Sequence, residues 1–281
     1  MQLKEALTSA VDGLEAAEVG SPRMNAEVLL MFVLGVNRAY LYAHPERELT
    51  VEEETRYDEV LAQRATGMPS QYITGHQEFW GLDFVVSPAV LIPRPETEHL
   101  VETVLELARG IARPKLVDVG TGSGCVALAL AHELKDAEVY LLDISADALE
   151  VARANAARLQ LEPRRFIQSN VLEGLADIHD FDFVVSNPPY VGFHEADKVQ
   201  RSVFEFEPRI AVFAGESGLD VIRPLVVQAH DALKRGGWLA LEIGYSMRDV
   251  VLGLLHLTKW EEIRVVPDLQ EIPRVVMARK T

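Results

Sequence analysis

The chain has 281 residues, a formal net charge of −16, a single cysteine and no apolar run approaching the ~20 residues that cross a bilayer. Its length and an apolar content of 48% leave room for a full α/β domain with a smaller companion. Cys125 alone can form neither an internal disulfide nor a cysteine metal cage, the histidines are scattered, and the acidic balance repels phosphate backbones; no metal, no membrane and no direct nucleic-acid contact are expected.

The amino terminus carries acids and lacks a basic leader with an apolar segment, so a secretory signal is not expected and a cytoplasmic protein is. Apolar residues at helical spacing (Leu3, Leu7, Val11, Leu14) predict a helix between Gln2 and Val19. Ser21-Pro22 opens a second helix through Leu34 that ends at Gly35, and Arg38 to Ala43 fits a short third. Thr50 with Glu53 makes a capping box for a fourth helix to about Ala65, closing at Gly67. Residues 1–72 therefore read as a helical bundle without catalytic constellations, suited to binding a partner. Over 73–93 the helical period gives way to aromatic and β-branched residues around Gly81-Leu82, a β-hairpin linker.

The remainder, 94–281, begins with a helix from about Pro95 to Ala108 and then alternates. LVDVG, EVYLLDI, RRFIQS, FDFVVS and WLALEIG read as strands, and Ser123–Leu134, Ala146–Leu159, Leu219–Leu233 and Met247–Leu257 as helices between them, with Gly236-Gly237 closing the helix before WLALEIG. Such alternation means a parallel sheet covered on both faces. The closely spaced IRVVPD and RVVMAR suggest a hairpin and an antiparallel last strand. The stretch between FDFVVS and Leu219 reads as irregular, and Arg158, Arg164 and Arg165 as a solvated helix end.

Two strand ends carry chemistry. In DFVVSNPPY an apolar strand stops at Asn187, which Pro188 holds extended where open α/β sheets place ligands. The Asn187 carboxamide and the Pro188 carbonyl can grip a planar amide or amidine, with Tyr190 as an aromatic neighbour; a plain proline turn is the bland alternative. In KLVDVGTGSGCVALALA a glycine turn (Gly120, Gly122, Gly124) joins strand to helix, where backbone approaches a ligand closely. A dinucleotide fingerprint needs glycine where Cys125 stands, which disfavours an NAD-dependent dehydrogenase. Asp143, ending the next strand, can accept from both hydroxyls of a ribose, and Asp118 can hold a charged amino-acid group.

DVGTGSG, Asp143 and NPPY together resemble the class I S-adenosylmethionine-dependent methyltransferases that modify planar, conjugated nitrogens. Within them LIPRPETEHLVE, FEPRIAVFAGESGLD, LEIG and VVPDLQEIPRVVMAR resemble the HemK/PrmC family of glutamine methyltransferases of peptide chain release factors, along nearly the whole chain. The resemblance implies a Rossmann-like, seven-stranded, mostly parallel sheet with an antiparallel last strand, preceded by a small helical bundle that recognises the release factor. It implies a monomeric enzyme that uses S-adenosylmethionine, releases S-adenosylhomocysteine and methylates N5 of the glutamine in the Gly-Gly-Gln motif of class 1 release factors.

The implied cofactor residues are Asp118, Gly120, Thr121, Gly122, Ser123, Gly124, Asp143, Asn170, Val171 and Asn187. Asn170 stands where the family commonly has Asp against the adenine amino group, and its side-chain carbonyl can accept the same bond; Val171 stands where some members have an aromatic. The implied catalytic residues are Asn187, Pro188 and Tyr190, with Pro189 completing the substrate motif. Rival readings are an adenine-amino methyltransferase of DNA or RNA, a ribosomal-protein glutamine methyltransferase and a non-catalytic ribosome-associated binding module. Arg94 is read equally as a surface ion pair or a site residue, and Glu207 and Glu216 to Asp220 as cleft or solvated turn. Glu242, and Asp268 with Arg274, are read as ordinary ion pairs.

Overall fold

The computed structural model describes residues 1–176, 178–258 and 260–281. Contacts divide the chain into two compact units, Met1–His76 with Gln200–Phe206, and Gln77–Val199 with Glu207–Thr281. No described helix is long and apolar enough to cross a membrane.

The first unit contains α1 (Leu3–Ala16), α2 (Pro22–Leu34), α3 (Arg38–Ala43), α4 (Val51–Ala65) and the short α5 (Ser70–Thr74). Leu3, Ala6, Ala10 and Leu14 of α1 share one face and are buried against Ala26, Leu29, Leu30 and Val33 of α2 and Tyr57 and Val60 of α4. Each fully buried leucine contributes about 1.5–3 kcal/mol. The capping box at α4 forms as the sequence predicts: Glu53 N–H donates to Thr50 Oγ1 at 3.2 Å, and Thr50 N–H to the Glu53 carboxylate at 3.0 Å. The Tyr57 hydroxyl donates to the Ala26 carbonyl at 2.9 Å, satisfying the one polar atom that this ring carries inward.

The hairpin is β1 (His76–Phe79), which from Gln77 onward belongs to the second unit, and β2 (Leu82–Val85), with α6 (Glu98–Leu107) preceded by a 3₁₀ turn over Pro95–Thr97. There follow β3 (Lys115–Val119), α7 (Cys125–Glu133), β4 (Glu138–Asp143), α8 (Ala146–Arg158), β5 (Arg165–Gln168) and β6 (Phe181–Ser186). The stretch expected to be irregular holds a 3₁₀ segment over Phe193–Lys198, α9 (Arg201–Phe206), which belongs to the first unit, and α10 (Arg209–Val212). The chain ends with α11 (Ile222–Ala232), β7 (Leu233–Glu242), α12 (Arg248–His256), β8 (Trp260–Pro267) and β9 (Pro273–Lys280).

Strands 3 to 9 form one seven-stranded sheet in the order β5-β4-β3-β6-β7-β9-β8. β3 to β7 are mutually parallel, and β9 runs antiparallel between β7 and β8. The strands alternate side chains between two cores. Val117, Val184 and Leu239 face α11 and α12, while Leu116, Phe183, Val185 and Ala240 face α6, α7 and α8. That is why the strand runs read as apolar throughout. The expectation that Gly236-Gly237 closes a helix is corrected: both lie inside β7, at a register irregularity where Leu233 pairs with Phe181 and Trp238 with Phe183. Gly236 has φ +76°, and a Cβ on Gly237 would stand 2.8 Å from the Phe181 carbonyl oxygen, so the pair makes a bulge rather than a stop.

Strand order reverses between β3 and β6, and a crevice opens beyond their carboxyl ends. Ser186 Oγ donates to the Val119 carbonyl at 2.6 Å and ties the two strand ends together. Two motifs 60-odd residues apart in sequence thereby face the same space.

Candidate active site

One cavity at this reversal is lined by Asp118, Gly120, Thr121, Gly122 and Ser123 from the loop after β3, and by Asp143 from the end of β4. Asn170 and Val171 beyond β5, and Asn187, Pro188 and Pro189 beyond β6, complete the residues the sequence singled out. Gly124 and Tyr190 are not among the lining residues. A Cβ on Gly124 would stand 3.1–3.3 Å from Leu128, Ala152 and Leu141, so its bare Cα lets α7 lie close on the sheet. The Tyr190 ring packs on Gly244, where a Cβ would come within 3.0 Å of it.

The loop is built for approach. Gly120 and Gly122 have φ of +70° and +56°, and nothing lies within 4 Å of where their Cβ atoms would be. Asp143 shapes the loop from the next strand: one carboxylate oxygen accepts the Gly122 N–H and the other the Ser145 N–H, each at 2.9 Å. Its remaining lone pairs are available on the cavity wall. Burial pushes the Asp143 carboxyl above the usual range, against the N–H bonds of Ser145, Gly122 and Ile144. Asp118 is buried deeper, and its carboxyl is pushed up to about 7 by burial, opposed by the Thr121 hydroxyl, 2.7 Å away, and the Ala127 N–H. The Ser123 hydroxyl is buried without a protein partner. Cys125, beside it, has a thiol pushed up to about 12 by burial, so it is not a nucleophile.

Asn170 donates its Nδ2 to the Glu173 carboxylate at 3.1 Å, which leaves Oδ1 as its acceptor end. Val171 is buried at φ +52°, a left-handed conformation that is strained for a β-branched residue. Asn187 donates Nδ2 to Thr97 Oγ1 at 3.0 Å. The segment after the prolines is pinned from behind. Val191 N–H donates to the Val212 carbonyl at 3.1 Å, Ala214 N–H to Val191 at 3.0 Å, and Phe193 N–H to Gly215 at 2.9 Å.

Several acids turn out differently from their surface readings. Glu207 is buried: one oxygen pairs with Arg94 and the other accepts the Ile92 N–H at 3.1 Å, so Arg94 is clamped on the cavity wall. Asp268 pairs with Arg274 at 2.8 Å as expected. Glu242 does not take part in an ion pair among the described residues; it is 4% exposed, its Oε2 has no partner, and its carboxyl is pushed up to about 7. Thr97, which lines the cavity, and Asn155, which holds its loop, were missed as site residues. Asn155 is wholly buried and donates to the Ser123 carbonyl at 2.9 Å and the Val85 carbonyl at 3.0 Å, while its Oδ1 accepts the Val85 N–H at 2.7 Å. The available signal was a polar residue in the apolar stripe of α8.

Comparison with known proteins adds an independent line. The PrmC N-terminal domain model matches residues 5–75, and the methyltransferase small domain model matches 95–206. A release factor glutamine methyltransferase of Koribacter versatilis is 56% identical over 280 residues, 100% of this chain and 99% of that one. Its namesake in Escherichia coli is 38% identical over 280 residues, 99% of each. Among solved structures, the hMettl16 catalytic domain in complex with MAT2A 3'UTR hairpin 1 matches with a TM-score of 0.59 at 16% identity, over 79% of this chain and 80% of that one. That likeness carries the fold, a methyltransferase sheet with helices on both faces. Whole-length identity at this level settles kinship: the chain belongs to the release factor glutamine methyltransferase family.

Proposed function

We propose that this enzyme transfers a methyl group from S-adenosylmethionine to N5 of the glutamine in the Gly-Gly-Gln motif of class 1 peptide chain release factors, yielding S-adenosylhomocysteine and supporting translation termination. The observation that carries the reading is the meeting of the glycine loop, Asp143 and Asn187-Pro188 in one cavity at the β3–β6 reversal. Kinship with release factor glutamine methyltransferases names the substrate class.

The residues present fit the cofactor. The partnerless Ser123 hydroxyl and the open space over Gly120 and Gly122 mark a cradle that the protein does not fill itself. Asp143 would take the ribose hydroxyls, Asp118 the amino-acid ammonium and Asn170 the adenine amino group, with Val171 lining the same wall. When bound, S-adenosylmethionine supplies an electrophilic methyl group on a sulfonium.

The substrate side follows from Asn187. An amide nitrogen is a poor nucleophile because its lone pair is delocalised, so the site has to hold it rather than merely meet it. With Nδ2 committed to Thr97, the Asn187 side chain offers Oδ1, and Pro188 offers a carbonyl with no N–H of its own. Two acceptors match the two N–H bonds of a primary carboxamide. As the C–N bond forms and the S–C bond breaks, positive charge develops on that nitrogen and both bonds strengthen, so the stabilisation falls on the transition state; the strongly acidic N–H of the methylated amide then gives its proton to solvent water. Fixed orientation can supply up to about 7–11 kcal/mol in favourable systems, which makes a strong base unnecessary. Tyr190 supports the loop from behind, against Gly244. The helical first unit, which matches the PrmC N-terminal domain, would recognise the release factor, and the enzyme would work in the cytoplasm as a monomer.

The test is incubation with labelled cofactor and, separately, a release factor, a ribosomal protein and DNA, followed by mass spectrometry of the labelled residue. Label on the Gly-Gly-Gln glutamine is expected. Label on an adenine or on ribosomal-protein glutamine, with none on the release factor, overturns the reading.

A further inference from the structure

We infer that Arg94, held in place by Glu207, is the subsite for the carboxylate at the amino-acid end of the cofactor. The inference rests on the functional reading above and names a partner for the one charged group of S-adenosylmethionine that this reading leaves unmatched.

The ligand sets the requirement. S-adenosylmethionine carries a sulfonium, an ammonium and a carboxylate. The cavity presents Asp118 and Asp143, which suit the positive groups and the ribose and repel the carboxylate. A cation has to offset them, and Arg94 is the one cationic side chain among the described residues that line the cavity.

Sheet order places it at the right end. The ligand-facing residues follow the strands across the sheet: Asn170 beyond β5, Asp143 at the end of β4, the glycine loop after β3 and Asn187 after β6. Adenine and ribose against Asn170 and Asp143 leave the amino-acid end at β3 and β6. Arg94 belongs to that end, because Thr97, on the same stretch of wall, accepts the Asn187 Nδ2–H at 3.0 Å.

The fold also fixes the guanidinium in advance. Pro93 and Pro95 restrict the backbone on either side of Arg94. Its Nη2 donates to Glu207 Oε1, and Glu207 Oε2 accepts the Ile92 N–H at 3.1 Å. One buried carboxylate thus holds both the side chain and the backbone just before it. Burying that acid is costly unless it is paired, and the pair it makes leaves a cation aimed before any ligand arrives. A guanidinium has five N–H donors in a planar fork that matches a carboxylate, so engaging Glu207 through Nη2 leaves donors for a second one.

The test compares two cofactors on the whole enzyme. Decarboxylated S-adenosylmethionine keeps the adenosine, the sulfonium and the amine and lacks the carboxylate, so calorimetric affinities of both compounds close a thermodynamic cycle without turnover. Wild type should bind S-adenosylmethionine about tenfold more tightly, the low end for a charged hydrogen bond, because Arg94 is 33% exposed and shares its charge with Glu207. Arg94→Met/Glu207→Gln, which removes both charges and leaves no buried acid unpaired, should erase that preference and bind the decarboxylated compound within about threefold of wild type. Glu207→Ala alone should reduce the preference, whereas damage to the fold weakens both compounds alike. Asp118→Asn should also weaken both alike, because both carry the amine.

A wild-type preference below about twofold overturns the inference without any variant, and so does a preference that survives in Arg94→Met/Glu207→Gln. If that variant keeps the preference and needs far more release factor for half its maximal rate, the guanidinium serves the polypeptide and the inference is likewise overturned. Binding of neither compound overturns the functional reading along with the inference, whereas binding of both without preference overturns the inference alone.

Discussion

Asp118 shows how a buried residue can be poised for a charged ligand. Its carboxyl sits at about 7 because burial penalises the anion more than Thr121 and Ala127 help it. A cation opposite it reverses that balance and draws the proton off. Binding of S-adenosylmethionine near pH 7 should therefore release a fraction of a proton, read as a dependence of the calorimetric enthalpy on the ionisation heat of the buffer. Asp118→Asn should abolish that dependence and weaken binding by roughly 10- to 100-fold, the worth of a charged hydrogen bond at ~1.5–3 kcal/mol. Equal enthalpies in the two buffers contradict this role for Asp118.

The same residues fix a stability window. Asp118 and Glu242 both hold protons in the folded state at pH values where an unfolded chain has lost them. Their contribution is thus fully present below the ordinary carboxylate range and is lost as pH rises toward about 7. The paired Glu53, Glu262 and Asp268 are shifted downward, and what they contribute is lost only in acid, a separate window. The cofactor-free protein should lose stability between pH 5 and 8 in urea titrations, and Asp118→Asn should show a smaller loss. An unchanged slope in the variant contradicts this. Asp118, Asp143 and Asn187 were legible in the sequence because each ends an apolar strand beside glycine, serine or proline. Glu242 ends one too, but with Arg274 available in the sequence an ion pair explained it equally well, and only coordinates show Arg274 on Asp268.

At the scale of elements, the glycine loop is held by α8 as much as by its own turn. Asn155 reaches from that helix to the Ser123 carbonyl and to both backbone groups of Val85 in the hairpin. Asn155→Ala would remove the side-chain partner of the buried Ser123 carbonyl and of the half-buried Val85 N–H and carbonyl, and should cost about 2–4 kcal/mol. The denaturant midpoint should fall at unchanged slope, and cofactor affinity should fall with it; a midpoint near wild type contradicts the account. Long elements were legible because their periodicity is strong: α2, α3 and α4 lie where the sequence puts them, and so does β6. The short α5, α9 and α10 span four to six residues each and offer no period to read. β7 began earlier than expected because exposed Lys234 and Arg235 and the two glycines hide a bulged strand start inside a turn-like sequence.

For the molecule as a whole, apolar strands separated by amphipathic helices foretold a parallel sheet, but not its strand order. Side-chain patterns say that β3 and β6 are buried on both faces; they do not say that these two are neighbours. That adjacency is what brings Gly120 and Asn187 to one cavity, whereas the resemblance to a known family implied only that both residues serve one site. The assignment of Gln200–Phe206 to the first unit was not legible at all, since no local pattern records a return of the chain. Because the cavity is formed only in the folded state, S-adenosylmethionine at 100 times its Kd should stabilise the protein by about 2.7 kcal/mol, or about 5–10 °C in thermal midpoint. No shift at saturation would contradict the cofactor assignment.

The central claim is that a rigid carboxamide at a strand end aims an unreactive nitrogen. It is tested most directly by single-turnover methylation of a release factor by Asn187→Ala, with cofactor binding measured alongside. The account predicts a loss of about 100-fold or more in rate with cofactor affinity nearly unchanged. A rate within a few-fold of wild type would contradict it.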